Sequence, residues 1–220
     1  MMATIQSILR SVQKFVLPRR KQFIWLFVLA ECGLLGLWLT CFMIARTNFA
    51  AISDLTFSLG SKLGTFSLIC YLITLVPGIL TRLHWLPEIT QPVGSMLMIF
   101  RRHFGILMFI SAFVHMSFTT TLPQLVLNNF EISQITLQTY HIVGIVGWWI
   151  LFPLWLTSND VSVKNLGVWW KRVHMLTYTA LFFIFLHVAL QLESWAVVLA
   201  GVMVLEIISW SLFHRRQSRV

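Results

Sequence analysis

Of the chain's 220 residues, 58% are hydrophobic and only 10% charged, and the mean hydropathy is +0.82. A soluble domain carries about 25% charged residues, so a soluble fold could not cover this much apolar surface and the chain reads as an integral membrane protein. Sixteen Lys and Arg against seven Asp and Glu give a net charge of +9, which points to nucleic acid only if those charges gather into one patch. Cys32, Cys41 and Cys70 each lie in an apolar run without CxxC or CxxCH. That excludes a disulfide framework, a zinc knuckle and covalent c-type haem attachment, and leaves the cysteines as packing residues.

The N-terminal segment, residues 1–21, spaces Ile5, Ile8, Leu9, Val12 and Val16 at helical intervals among Gln6, Arg10, Gln13 and Lys14. This predicts a short interfacial helix on the inner leaflet, stopped at Pro18. Six apolar runs follow, at 23–45, 63–80, 103–121, 139–157, 174–190 and 195–213, each near the roughly 20 residues that cross a bilayer. The first is longer than the roughly 7–15 residue apolar core of a cleavable signal, so it should stay as an anchor. With the N-terminus in the cytoplasm, fourteen of the sixteen basic residues fall inside and only Arg46 and Lys62 outside. That positive-inside pattern explains the net charge without nucleic acid. Outer loops are expected near 47–61 and 122–138, and a longer inner loop, rich in Pro and apolar residues, at 81–100. The expected fold is an all-α, six-transmembrane-helix bundle over 22–213, with cytoplasmic termini and a basic tail at 214–220. No flavin- or nicotinamide-binding domain is apparent, so an electron donor would be a separate molecule.

Ionisable residues inside spans are costly and therefore functional candidates. His84 and His214 read as solvated loop and tail residues, and His141 as a residue snorkelling at the outer face. His115 lies 13 residues past Arg102 and His187 lies 15 past Arg172, both on helices running outward. At 1.5 Å per residue the two imidazoles rise about 20 and about 22 Å above the inner basic edge, on different helices at matched depth. Facing each other, they would make an axial pair for a six-coordinate b-type haem; the alternative is two buried histidines, each bonded to a backbone carbonyl. His174 lies 13 residues before His187, about 140° away around an ideal helix, so spacing does not favour a second haem stacked on this helix. His103 stands twelve residues before His115 and supplies no better register. The rival roles for His174 are contact with a haem propionate or a flavin, and snorkelling. For Glu31 and Glu206 an interhelical hydrogen bond is the favoured role over a proton relay or a quinol contact. Trp148, Trp149, Trp155, Trp169 and Trp170 suggest an interfacial belt. Gly60-x-x-x-Gly64 and Gly144-x-x-Gly147 suggest close helix contact. The basic cluster Arg101, Arg102, Lys171 and Arg172 is suited to propionates or a flavin phosphate at the inner mouth.

Two segments are more specific. Arg101-Arg102-His-Phe-Gly105, followed after nine residues by His115, resembles the third span of ferric-reductase-like transmembrane domains. Thr157-Ser158, Leu166-Gly167-x-Trp169, His174-x-x-x-Tyr178 and His187 resemble the loop and fifth span of the same superfamily. Within it the chain is most similar to the haem-binding membrane subunits of the periplasmic methionine sulfoxide reductase system, the MsrQ (YedZ) family, over most of residues 60–190. The resemblance implies b-type haem with His115 and His187 as ligands and His174 as a further haem-associated histidine. It implies electron flow from a cytoplasmic flavin or flavoprotein to an outer acceptor, in that family a periplasmic molybdenum-containing reductase.

Together these readings predict a multi-pass protein of the bacterial inner membrane, surrounded by lipid and passing electrons across it through one haem b, with a second, inner haem left open. FMN or FAD, or a cytoplasmic flavoprotein reductase, would bind on the inner side, at Arg101, Arg102, Trp170, Lys171 and Arg172. One alternative keeps the haem but delivers electrons to ferric iron or oxygen. Another class altogether is a cofactor-free transporter or assembly factor, for which the symmetric pair of broken helices expected of a transport site is missing.

Overall fold

The computed structural model describes the backbone of residues 2–83, 87–128, 131 and 135–218; His84, Arg219 and the side chains of Ile5 and Arg10 lie outside the described residues. Every regular element among them is helical. In chain order they are α1 (Met2–Val16), α2 (Arg20–Asn48), a 3-10 turn (Phe49–Ala51), α3 (Ser53–Leu83), α4 (Pro87–Met116), a π-helical turn (Ser117–Thr121) and α5 (Leu122–Leu127). After the second outer connection come α6 (Thr139–Leu156), α7 (Asp160–Leu166), α8 (Val168–His174), α9 (Leu176–Leu190) and α10 (Trp195–Gln217). Six stretches are long and apolar enough to cross a membrane: Arg20–Ala51, Ser53–Leu83, Glu88–Leu127, Thr139–Leu156, Val168–Leu190 and Trp195–Gln217. The chain is a multi-pass membrane protein. Helices are the form such runs must take, because lipid offers no partner to a backbone N–H or C=O.

Two expected loops are helical. The outer segment 47–61 holds only the 3-10 turn and Ile52 before α3 begins at Ser53. The inner segment 81–100 contributes α4 from Pro87 onward, well before the expected start at His103. Pro87 is a first-turn proline, where no intrahelical N–H is needed, and Pro92 is carried inside the helix. This extension is where α1 docks. The Gln6 amide donates to the Glu88 carboxylate, and the Gln13 amide donates to the Pro92 carbonyl (3.2 Å). Ile8 and Phe15 of α1 stay exposed.

The bundle is built from two antiparallel hairpins. α3 packs along α4, and α6 along α9. The hairpins meet through α4 and α6, while α10 covers α9 and α3, and α2 lies against α4. α4 and α9 do not pack closely, backbone on backbone. One core cluster joins Leu68, Tyr71 and Leu75 to Leu107, Met108, Phe109, Leu151, Leu181 and Leu199; a second joins Cys41 and Ala45 to Val114, Phe118 and Leu122. Cys41 and Cys70 are buried, as packing residues should be, whereas Cys32 is exposed. The tryptophan belt divides. Trp149 and Trp169 are exposed, but Trp148 and Trp155 stack on Phe109, with ring centres 4.7 and 4.9 Å away. Hydrogen bonds cross the bundle where side chains would otherwise be orphaned: Ser67 to the Met108 carbonyl (2.9 Å), and Tyr71 to the Thr177 carbonyl.

Candidate functional site

His115, at the C-terminal end of α4, and His187, near the C-terminal end of α9, face each other across the gap between the hairpins. Their ring centres are 6.4 Å apart and their planes cross at 76°. The His115 Nδ1–H donates to the Gly60 carbonyl (2.8 Å) on α3. The His187 Nδ1–H donates to the Tyr140 carbonyl (2.7 Å) on α6. A carbonyl oxygen can only accept, so both rings carry their proton on Nδ1 and leave Nε2 as a lone-pair donor.

The backbone thereby satisfies one nitrogen of each ring. Among the described residues no hydrogen bond addresses the His115 Nε2. The His187 Nε2 meets the side-chain amide of Gln191 (3.1 Å), an exposed group that also bonds the His187 carbonyl (3.1 Å). Two imidazoles on opposite sides of one metal, with metal–nitrogen bonds of about 2 Å and about 1.2 Å from nitrogen to ring centre, would stand about 6.4 Å apart. The 6.4 Å separation and the loose approach of α4 to α9 suit a flat macrocycle held between two axial ligands. The Gly60 and Tyr140 carbonyls fix the tautomer and make each ring a better donor. The residues fit a b-type haem.

Two glycines make the arrangement possible, and reading the sequence alone missed their part in it. A Cβ on Gly64 would stand 2.8 Å from His115 Cε1 and Nδ1, and one on Gly144 would stand 2.7 Å from His187 Nδ1. Both were visible as small-residue motifs, but a motif does not say what lies across from it. Gly60 and Gly147 do serve helix contact, against Phe118 and Thr119 in one case and Phe183 in the other.

The inner cluster comes apart into separate environments. Arg101 lies in electrostatic reach of Arg82, Tyr178, Glu206 and His174. Arg102 pairs with Asp160 (2.7 Å) at the start of α7. The Arg172 guanidinium sits over the Trp169 ring, 4.6 Å from its centre, and Lys171 is exposed. Trp170 donates its indole N–H to the Thr157 carbonyl (3.0 Å) and stacks on His174 at 3.9 Å. His174 bonds the Trp170 carbonyl through Nδ1 (3.0 Å). The helix is interrupted just after it, at Met175. His103 stacks on Phe27 instead, and among the described residues no ring contact joins it to His174. His141 bonds the Gln138 N–H (3.3 Å) at the start of α6, a helix cap rather than a snorkelling group.

Arg82 carries more than topology. It ion-pairs with Glu206 inside the bundle, donates from Nε to Ser209 (2.9 Å) and from Nη1 to Tyr178 (3.1 Å), and lies 4.8 Å from the Trp210 ring centre. The interhelical role expected of Glu206 is met by this pair. Glu31 differs: its Oε1 is buried and forms no hydrogen bond among the described residues.

The family model described as "Ferric reductase like transmembrane component" matches residues 63–186. Among curated proteins the chain is similar to the "Protein-methionine-sulfoxide reductase heme-binding subunit MsrQ" of Brucella ovis, Brucella canis and Brucella suis, each 31% identical over 102 residues. The alignment covers 46% of this chain and 46% of the relative, so the chain spans about half the length of the curated relatives it matches. No solved structure matches it.

Proposed function

The chain belongs to the ferric reductase like transmembrane component family, and we propose that it is a b-type haem protein that carries electrons across a bacterial inner membrane, with His115 and His187 as axial ligands. The observation that carries this is the facing pair: two Nδ1-anchored imidazoles with ring centres 6.4 Å apart. Haem supplies the one-electron chemistry when bound. The chain orients the two nitrogens and fixes their protonation through the Gly60 and Tyr140 carbonyls.

Fourteen of the sixteen basic residues lie toward one side in this topology, which makes that side cytoplasmic and puts the histidine pair nearer the outer face. Electrons enter from FMN, FAD or a flavoprotein reductase received by Arg101, Arg102, Trp170, Lys171, Arg172 and His174. They leave to an outer acceptor. The similarity to subunits named for methionine sulfoxide reductase favours a periplasmic, molybdenum-containing sulfoxide reductase as that acceptor, while the family description favours ferric iron.

The test is the visible spectrum of the purified protein. A dithionite-reducible, low-spin b-type spectrum is expected, lost or converted to high spin in His115→Ala and in His187→Ala. Wild-type spectra in both variants would show that the axial pair is wrong. Reoxidation of the reduced protein by a sulfoxide reductase with its substrate, set against reoxidation by ferric citrate, separates the acceptors.

A further inference from the structure

We infer that Gly64 and Gly144 are positioning residues that seat the two ligand imidazoles and hold their planes close to perpendicular. The inference rests on the haem reading and goes beyond it, from which atoms bind to how the rings are turned. The same device occurs twice. On α3 the Gly60 carbonyl takes the Nδ1 proton of His115, and Gly64, one turn on, lies under the ring. On α6 the Tyr140 carbonyl takes the Nδ1 proton of His187, and Gly144, again one turn on, lies under that ring. Carbonyl and glycine stand four residues apart on the face that each histidine meets.

A Cβ at either glycine would come within 2.7–2.9 Å of ring atoms, closer than nonbonded carbons approach. The backbone below is helical and cannot move aside, and the ring is anchored at Nδ1. Relief must come from turning or withdrawing the imidazole. With a haem bound, turning would change the ring's angle about the metal–nitrogen axis, which sets how the ligand field splits the iron dπ orbitals, and withdrawal would weaken the bond toward a high-spin iron. Planes crossing at 76° leave those orbitals nearly degenerate, which gives a strongly anisotropic low-spin signal. Parallel planes split them and give a rhombic one.

The experiment is low-temperature EPR of oxidised, haem-loaded protein: wild type, Gly64→Ala and Gly144→Ala, with Gly33→Ala and Gly36→Ala as controls. The control glycines have nothing within 4 Å of an added Cβ. The wild type should show the strongly anisotropic low-spin signal, and the controls should keep it. Each seat variant should lose it, to a rhombic or a high-spin signal, while haem stays bound. A rhombic wild-type signal, or seat variants that superimpose on wild type, would overturn the inference and leave the haem reading intact. A wild type without a haem spectrum would instead remove the haem reading. If neither seat variant accumulates, the wild-type signal still decides the plane angle.

Discussion

Arg82 and Glu206 offer the sharpest energetic test of the fold. The two are 9% and 5% exposed, and their pair ties the C-terminal end of α3 to α10, with Tyr178 bringing in α9. Arg82→Leu would leave the Glu206 carboxylate without its ion-pair partner, with its Oε1 already unpartnered. Removing one member of a buried pair costs about 3–5 kcal/mol, whereas replacing both by apolar residues is often neutral or better. For a chain of this size about 1 kcal/mol moves Tm by roughly 2–4 °C, so the single variant should melt roughly 6–20 °C below wild type. The double variant Arg82→Leu/Glu206→Leu should recover most of that loss. Thermal unfolding of the detergent-solubilised protein, followed by tryptophan fluorescence, measures both. A single variant within about 1 kcal/mol of wild type, the range of exposed pairs, or a double variant as unstable as the sum of the singles, would refute a coupled buried pair.

His174→Ala should leave haem per protein unchanged and slow reduction by an external flavin, as measured by pyridine haemochrome and stopped flow; a fall in haem stoichiometry would make His174 an iron ligand. Leu192, 94% exposed with φ 58°, sits in the left-handed region that costs a side chain about 1–2 kcal/mol, so Leu192→Gly should raise Tm slightly, and a lower Tm would show that the leucine makes contacts worth more than that strain. Asp160→Asn breaks an exposed pair with Arg102 and should change stability by less than about 1 kcal/mol; a larger loss in a melting experiment would show a buried role. In oriented vesicles a reduced flavin should reduce the haem faster from the Arg101–Arg102 side, and raised ionic strength should slow that reaction; equal rates from both faces would remove the inner donor site.

The six spans and the matched depth of His115 and His187 were readable from residue order because both depend on quantities that run along the chain. Apolar runs must be long enough to cross the bilayer, and helical rise is fixed per residue. What lies across from a residue depends instead on which helices are neighbours and how each is rotated, and residue order carries neither. Gly64 and Gly144 therefore read as helix-contact glycines until His115 and His187 were found resting on them. Arg82 likewise counted as one more inner-side charge, because its partners Tyr178, Glu206 and Ser209 lie about a hundred residues away in sequence. The prolines misled about α4, where Pro87 and Pro92 suggested a loop and the docking of Gln6 and Gln13 from α1 helps hold a helix instead. The inner basic residues show the same division. Their grouping on one side of the bundle follows from their order, but the approach to Tyr178, Arg82 and Glu206 for Arg101, pairing with Asp160 for Arg102 and stacking on Trp169 for Arg172 were decided by packing, because a flexible cationic side chain goes to whichever acceptor or ring the folded bundle brings within reach.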